Sequence, residues 1–201
     1  QDLDLVAPRF EPVQILARLA LCILLVSFCA GYIGRVEYSL LDRPASLWMA
    51  AIIPVLFVSL FRFLLRVPQG DLLMVPLAAV GAMLLTILLN ARIGLAAAFL
   101  ISALCGVMAR ADSGLFLATL LMALIGVLVV SEINSRGALL RAAGYLAISG
   151  AVLGAVLNAL REVSPDEIAM LALLGGVAGA GAVGVTYWLA MLVERPFGIT
   201  T

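Results

Sequence analysis

"SPDEIAMLALLGGVAGAGAVGVTYWLAMLVERPFGITT", residues 164–201, opens on a helix start signal and then carries no charge from Ile168 to Val193. Ser164 reads as the N-cap, Pro165 as the first helical position and Glu167 as the third. That is a capping box with proline in its favoured place. From Pro165 to Glu194 a helix of about 30 residues would be roughly 45 Å long at about 1.5 Å per residue. The hydrocarbon layer is about 30 Å thick. Such a helix must tilt strongly or continue past the membrane, carrying "ERPFGITT" (194–201) away from it.

The rest of the chain agrees with a bilayer. Of its 201 residues 65% are hydrophobic and only 12% are charged, with a mean hydropathy of +1.21. A soluble domain has about a quarter of its residues charged. Spans of about 20 apolar residues are predicted at 14–33, 46–65, 72–90, 93–109, 115–131, 139–160 and 166–193. Polar punctuation separates them: "GRVEYSLLDRPAS" (34–46), "RVPQGD" (66–71), "NAR" (90–92), "RADSG" (110–114), "EINSRG" (132–137) and "REVSPDE" (161–167). The predicted fold is all-α, a polytopic membrane bundle of seven helices and no strand. "QDLDLVAPRFEPVQ" at the start lacks the basic region and apolar core of a cleavable signal. Targeting is therefore expected to be internal, or to lie upstream.

Net charge is zero, with twelve arginines, twelve acids and no histidine. No basic face is offered to nucleic acid. Without histidine there is no Ser-His dyad and no His-ligated metal. Three cysteines, Cys22, Cys29 and Cys105, read as small buried hydrophobes. No cofactor and no metal site are expected. With the N-terminus outside, each side of the membrane receives six arginines, so the positive-inside rule does not set the orientation.

Other motifs reduce to packing. "GAGAVG" (Gly179, Gly181, Gly184) has the spacing of a dinucleotide fingerprint, but no strand precedes it and no βαβ unit can form. Gly150 and Gly154, and Gly175 and Gly179, form two GxxxG pairs that let backbones approach closely in lipid. Asn158 and Glu132 fall at span ends and are expected at the interface, and Asn90 belongs to a tight turn. Arg62 lies near a span end and can snorkel. Thr86, Ser102 and Ser149 can each bond a carbonyl of their own helix. No acid sits at a span centre, which argues against a proton- or cation-coupled pump. Pro54 and Pro76 fall inside spans and should kink them. Tyr32, Tyr38, Trp48, Tyr187 and Trp188 read as an aromatic belt.

Three stretches together carry a resemblance: "SEINSRGALLRAAGYLAISGAVLGAVLNAL" (131–160), the Gly/Ala-rich last span, and "LVERPFGITT" (192–201). They resemble the membrane region of bacterial seven-transmembrane receptors with an intracellular HD hydrolase. The resemblance covers nearly the whole chain in span count and spacing and is specific in sequence from about Ser131 to Thr201. It implies an extracellular sensory domain before the spans and a cytosolic HD phosphodiesterase that cleaves cyclic di-AMP after them. It also implies the bacterial inner membrane, with the N-terminus outside and the C-terminus in the cytoplasm. The chain divides accordingly into an extracytoplasmic lead-in (1–13), the seven-helix domain (14–193) and an exit segment (194–201).

On that reading the chain is no enzyme, because an HD site needs histidine. Its work is to relay a signal to the HD domain. Partners are the bilayer and the two flanking domains, with a homodimer left open. In the exit segment, Pro196 should stop the helix near Arg195. Phe197 is an apolar anchor, Gly198 lets the chain turn, Ile199 follows, and Thr200 or Thr201 can cap a next helix. Arg136 and Arg141 should face the same side and brace Glu194. The alternative is the membrane-embedded vitamin-binding component of a transporter, which needs no exit segment.

Overall fold

A computed structural model describes residues 12–36, 44–66, 70–109, 112–131, 136–160 and 164–197. Seven helices account for nearly all of them: α1 (Pro12–Val36), α2 (Pro44–Leu64), α3 (Gly70–Leu88), α4 (Ala91–Met108), α5 (Ser113–Ser131), α6 (Arg136–Ala159) and α7 (Pro165–Phe197). Among the described residues there is no strand. Among the described residues six helices are long and apolar enough to cross a membrane. The expected seventh span, α3, counts as a shorter apolar helix over Leu73–Leu88. Its first turn holds Gly70 and Asp71, which shortens the apolar stretch at that end.

Short connections make sequential neighbours antiparallel, and the contacts give the register. Cys105 Sγ lies 3.7 Å from Met74 Sδ across α3 and α4, while a Cβ on Gly94 would meet the Thr86 side chain. Ser149 Oγ lies 3.6 Å from Met122 Sδ across α5 and α6. The C-termini of α1, α3, α5 and α7 therefore share one face with the starts of α2, α4 and α6; we call it the exit face.

The helix with the shortest apolar stretch is the hub. α3 packs against α2, α4, α5, α6 and α7. Nearly every turn of it is buried, including Met74, Ala78, Ala79, Ala82, Met83 and Leu85, each with no exposed surface. A helix apolar all round suits a bundle centre, and Ala78, Ala79, Gly81 and Ala82 thin it so that neighbours come close. Large apolar side chains on the outer helices, such as Leu24 and Phe28 on α1 and Leu173 and Val177 on α7, are exposed on the protein. Lipid, not water, is the natural cover for such faces.

Two helix starts are pinned by side chains. Asn90 is extended (φ −170°, ψ 151°), and its Oδ1 accepts from the Arg92 N–H at 3.1 Å, capping α4. Asp112 Oδ1 accepts from the N–H groups of Gly114 (2.9 Å) and Leu115 (3.1 Å), capping α5. Both meet the need of the first turn for acceptors. At α7 the Ile168 N–H bonds the Ser164 carbonyl at 3.0 Å, and Pro165 opens the helix. Asp166 and Glu167 place negative charge at its positive end. Pro54 and Pro76 are buried inside α2 and α3, whose helical assignments run unbroken through them.

Candidate functional site

The most extensive helix contact in the molecule is α6 against α7, and glycine makes it. A Cβ built on Gly175 would lie 2.5 Å from the Gly150 carbonyl oxygen, and one on Gly150 would strike the Gly175 carbonyl. A Cβ on Gly154 would lie 3.1 Å from the Leu171 carbonyl oxygen. One on Gly179 would strike the Leu146 carbonyl and lie 3.0 Å from Met122 Cε on α5. The two backbones thus touch over two turns, the approach small residues permit. Gly181 and Gly184 have nothing within 4 Å of a built Cβ. The fingerprint-like "GAGAVG" is therefore a stretch of one continuous helix in which Gly179 alone makes the close approach.

Further along the same face α7 also meets the hub α3, and Ala182, Val183, Thr186 and Ala190 are buried there. The Thr186 hydroxyl donates to its own Ala182 carbonyl at 2.7 Å, so no polar group is left open there. α6 and the centre of the bundle together cover this face of α7 before it reaches the exit face.

The helix does not stop at Arg195, as the sequence suggested. It runs through Pro196 to Phe197, 33 residues in all. Proline in a last turn forfeits one backbone hydrogen bond and crowds one carbonyl, and a long helix held by two neighbours tolerates that. At about 1.5 Å per residue it is roughly 50 Å long, well beyond the hydrocarbon. Glu194, Arg195, Pro196 and Phe197 form the last turn of α7, and Arg136 opens α6. Gly198, Ile199, Thr200 and Thr201 lie outside the described residues.

The register separates the two arginines. Gly150 faces Gly175, Gly154 faces Leu171, and Leu146 faces Gly179. Continued along the antiparallel pair, Arg141 comes level with Gly184 and Arg136 with Leu189. Arg141 is exposed and sits about ten residues, or roughly 15 Å, along the axis from Glu194. It is too far to brace that carboxylate. Arg136 is the nearer by about 7 Å on the same scale.

Elsewhere the polar side chains divide. Thr86 donates to the Ala82 carbonyl at 2.9 Å and Ser149 to the Tyr145 carbonyl at 2.8 Å, as expected. Ser102 does not: its Oγ is wholly buried and has no hydrogen-bond partner. Asn158, expected at the interface, is buried, and its Nδ2 donates to the Gly154 carbonyl at 2.7 Å. Glu132 and Tyr38 lie outside the described residues. Tyr32, Trp48, Tyr187 and Trp188 are all exposed towards the exit face. Cys22, Cys29 and Cys105 are free. Among the described residues no cluster of three His, Cys, Asp or Glu could hold a metal ion.

Residues 12–201 match the family model described as "7TM receptor with intracellular HD hydrolase". No curated protein and no solved structure matches. With almost its full length covered, the chain belongs to that family. It corresponds to the receptor's membrane region, and it contains no histidine from which an HD site could be built.

Proposed function

We propose, from its membership of this receptor family, that the chain is the transmembrane relay of a receptor-type cyclic di-AMP phosphodiesterase. An extracellular signal enters at the end bearing the N-terminus of α1, and α7 delivers it to a cytosolic HD domain. The protein lies in the bacterial inner membrane with the exit face in the cytoplasm. The observation that carries this reading is α7 itself. It is far longer than the hydrocarbon is thick, it is locked backbone-to-backbone on α6, and it stays helical through Pro196. A stiff rod held along its membrane length can transmit a displacement or a rotation, whereas a flexible tether cannot.

The function of the segment from Glu194 to Thr201 follows from its place at the end of that rod. Phe197 would anchor the chain just outside the bilayer, and Gly198 would turn the chain into the next helix, which Thr200 or Thr201 caps. Arg136, at the start of α6, would steady Glu194. The test uses the full-length receptor in membranes, with cyclic di-AMP hydrolysis measured with and without the extracellular stimulus. Phe197→Ala and Gly198→Val should each shift the ratio of stimulated to basal activity while insertion stays intact. If both respond as the wild type does, the segment is a passive tether and the relay mechanism is wrong.

A further inference from the structure

A cavity lies at the opposite edge of the bundle from the glycine contact. It is an apolar cleft of about 510 Å³ between α1, α2 and α4. Val26, Ala30 and Gly34 line it from α1, Ala51 and Val55 from α2, and Leu104 from α4. Its size falls within the range of about 300–1,000 Å³ that holds small organic ligands. Its chemistry is unlike that of a site for a polar ligand. The lining hydroxyl, Ser59 Oγ, donates to its own Val55 carbonyl at 2.8 Å. The Cys29 thiol points at the Ala96 carbonyl, 3.9 Å away. A water-soluble ligand would find no converging donors or acceptors to orient it.

The cleft has a direction and a depth. α1 runs towards the exit face and α2 away from it, so Gly34 and Leu47 sit together at one end, and Val26 and Ser59 lie deep. From Leu47 to Ser59 is about 18 Å along the helix. The hydrocarbon of one leaflet is half of about 30 Å, or roughly 15 Å. The groove therefore begins near one interface and runs past the bilayer midplane on α2, while on α1 its lining ends mid-span at Val26. Arg35, exposed and next to Gly34, stands at the interfacial end, where a cation suits an anionic headgroup. Trp48, also exposed there, is of the kind that anchors at headgroup level.

We propose that this cleft holds one acyl chain of an anionic phospholipid from the exit-face leaflet, with the lipid phosphate against Arg35. The lipid fills space that α1 and α2 leave open: α1 packs chiefly on α4, and only 6% of its membrane window is buried in the protein. The occupant is a lipid and not a second copy of the chain, because the groove stops short of the far interface, ending at Val26 on α1 and Ser59 on α2. A partner helix would need a seam running the full thickness.

The test is photolabelling of the purified chain in nanodiscs of phosphatidylethanolamine and phosphatidylglycerol, using a phosphatidylglycerol with a diazirine in its acyl chain. Labelled residues are mapped by mass spectrometry. Labelling should concentrate on the facing sides of α1, α2 and α4, several-fold above the equally apolar and exposed Leu173 and Val177 on α7. Gly34→Leu, whose added Cβ meets nothing within 4 Å, should fill the mouth and cut that labelling several-fold. Ala51→Phe should do the same from the other wall. Size exclusion and helical circular dichroism show whether each variant is folded. Arg35→Gln should weaken labelling by this probe. Labelling spread evenly over all exposed helix faces, or unchanged in folded Gly34→Leu, overturns the proposal. So does crosslinking of two copies through the cleft. Wild-type labelling in Arg35→Gln overturns the headgroup contact.

Discussion

The α6/α7 pair and the α1/α2 edge are both apolar in sequence and opposite in construction. In the first, glycines face each other and the backbones touch. In the second, Gly31 and Gly34 have nothing within 4 Å of a built Cβ, and a cleft separates the helices. Water cannot explain the difference, because both regions are immersed in lipid, where burying a leucine against protein gains little over leaving it in hydrocarbon. What holds membrane helices together is close packing and polar contact. A small residue stabilises a contact only where it stands opposite another helix. The same residue type at Gly31 is merely a gap in the side-chain surface.

The largest effect should come from trying to make the first region resemble the second. Gly179→Leu puts a side chain where the Leu146 carbonyl sits, and backbone cannot give way as a flexible side chain can. Overpacking of this kind costs about 1–3 kcal/mol, and more where backbone must move, so we expect the upper end or beyond. Gly150→Leu should behave alike. The control is Gly31→Leu or Gly181→Leu, both open to lipid, with changes within about 0.5 kcal/mol. Unfolding of the purified chain in mild detergent, followed by circular dichroism against denaturant, reads the difference. Equal stability of Gly179→Leu and Gly181→Leu would break the comparison.

A smaller loss is expected at the helix starts on the two faces. Asp112→Ala removes the acceptor of two α5 N–H groups and should cost about 1 kcal/mol, within the range of about 0.5–2 kcal/mol for lost caps. Asn90→Ala removes one acceptor from α4 and should cost no more than that. Asp112→Asn, which keeps the acceptor, should recover most of the loss. If Asp112→Asn is as damaging as Asp112→Ala, the carboxylate acts by its charge and not as a cap.

How much of this was legible in the sequence differs by element. Helix number and approximate ends were legible, because long apolar runs between polar breaks have one solution in lipid. The caps were partly legible: Asn90 and Asp112 each stand three residues before the next apolar run, at Ile93 and Leu115, as start signals do, but only Asn90 was singled out, as a turn residue. The hub was not. α3 is apolar on all sides, but so are α2 and α5, and hydropathy cannot distinguish a helix wrapped in protein from one wrapped in lipid. The glycine pairs marked which helices could approach closely, but not their register. That register is what removes Arg141 from the exit and keeps Arg136 near it. The end of α7 was misjudged because a rule for residues before proline was applied to a final turn, where only one hydrogen bond is at stake.

The smallest effect has the opposite sign and concerns Ser102. Thr86, Ser149 and Thr186 all sit in the bundle with their hydroxyls bonded to a carbonyl one turn back. Ser102 is as buried as any of them, yet its Oγ has no partner. In the first three, replacing the hydroxyl removes a satisfied bond and should destabilise slightly. In Ser102→Ala the substitution removes a group already dehydrated and unpaired, which costs about 1–3 kcal/mol when buried in a protein. Part of that returns as stability, offset by the small gap left behind. We expect Ser102→Ala to stabilise the bundle by up to about 1 kcal/mol, and Ser149→Ala to lose a few tenths. The same denaturation experiment measures both. If Ser102→Ala destabilises by as much as a lost cap, the hydroxyl has a partner in the membrane, such as a buried water between α4 and its neighbours, and it belongs with the bonded hydroxyls of the bundle.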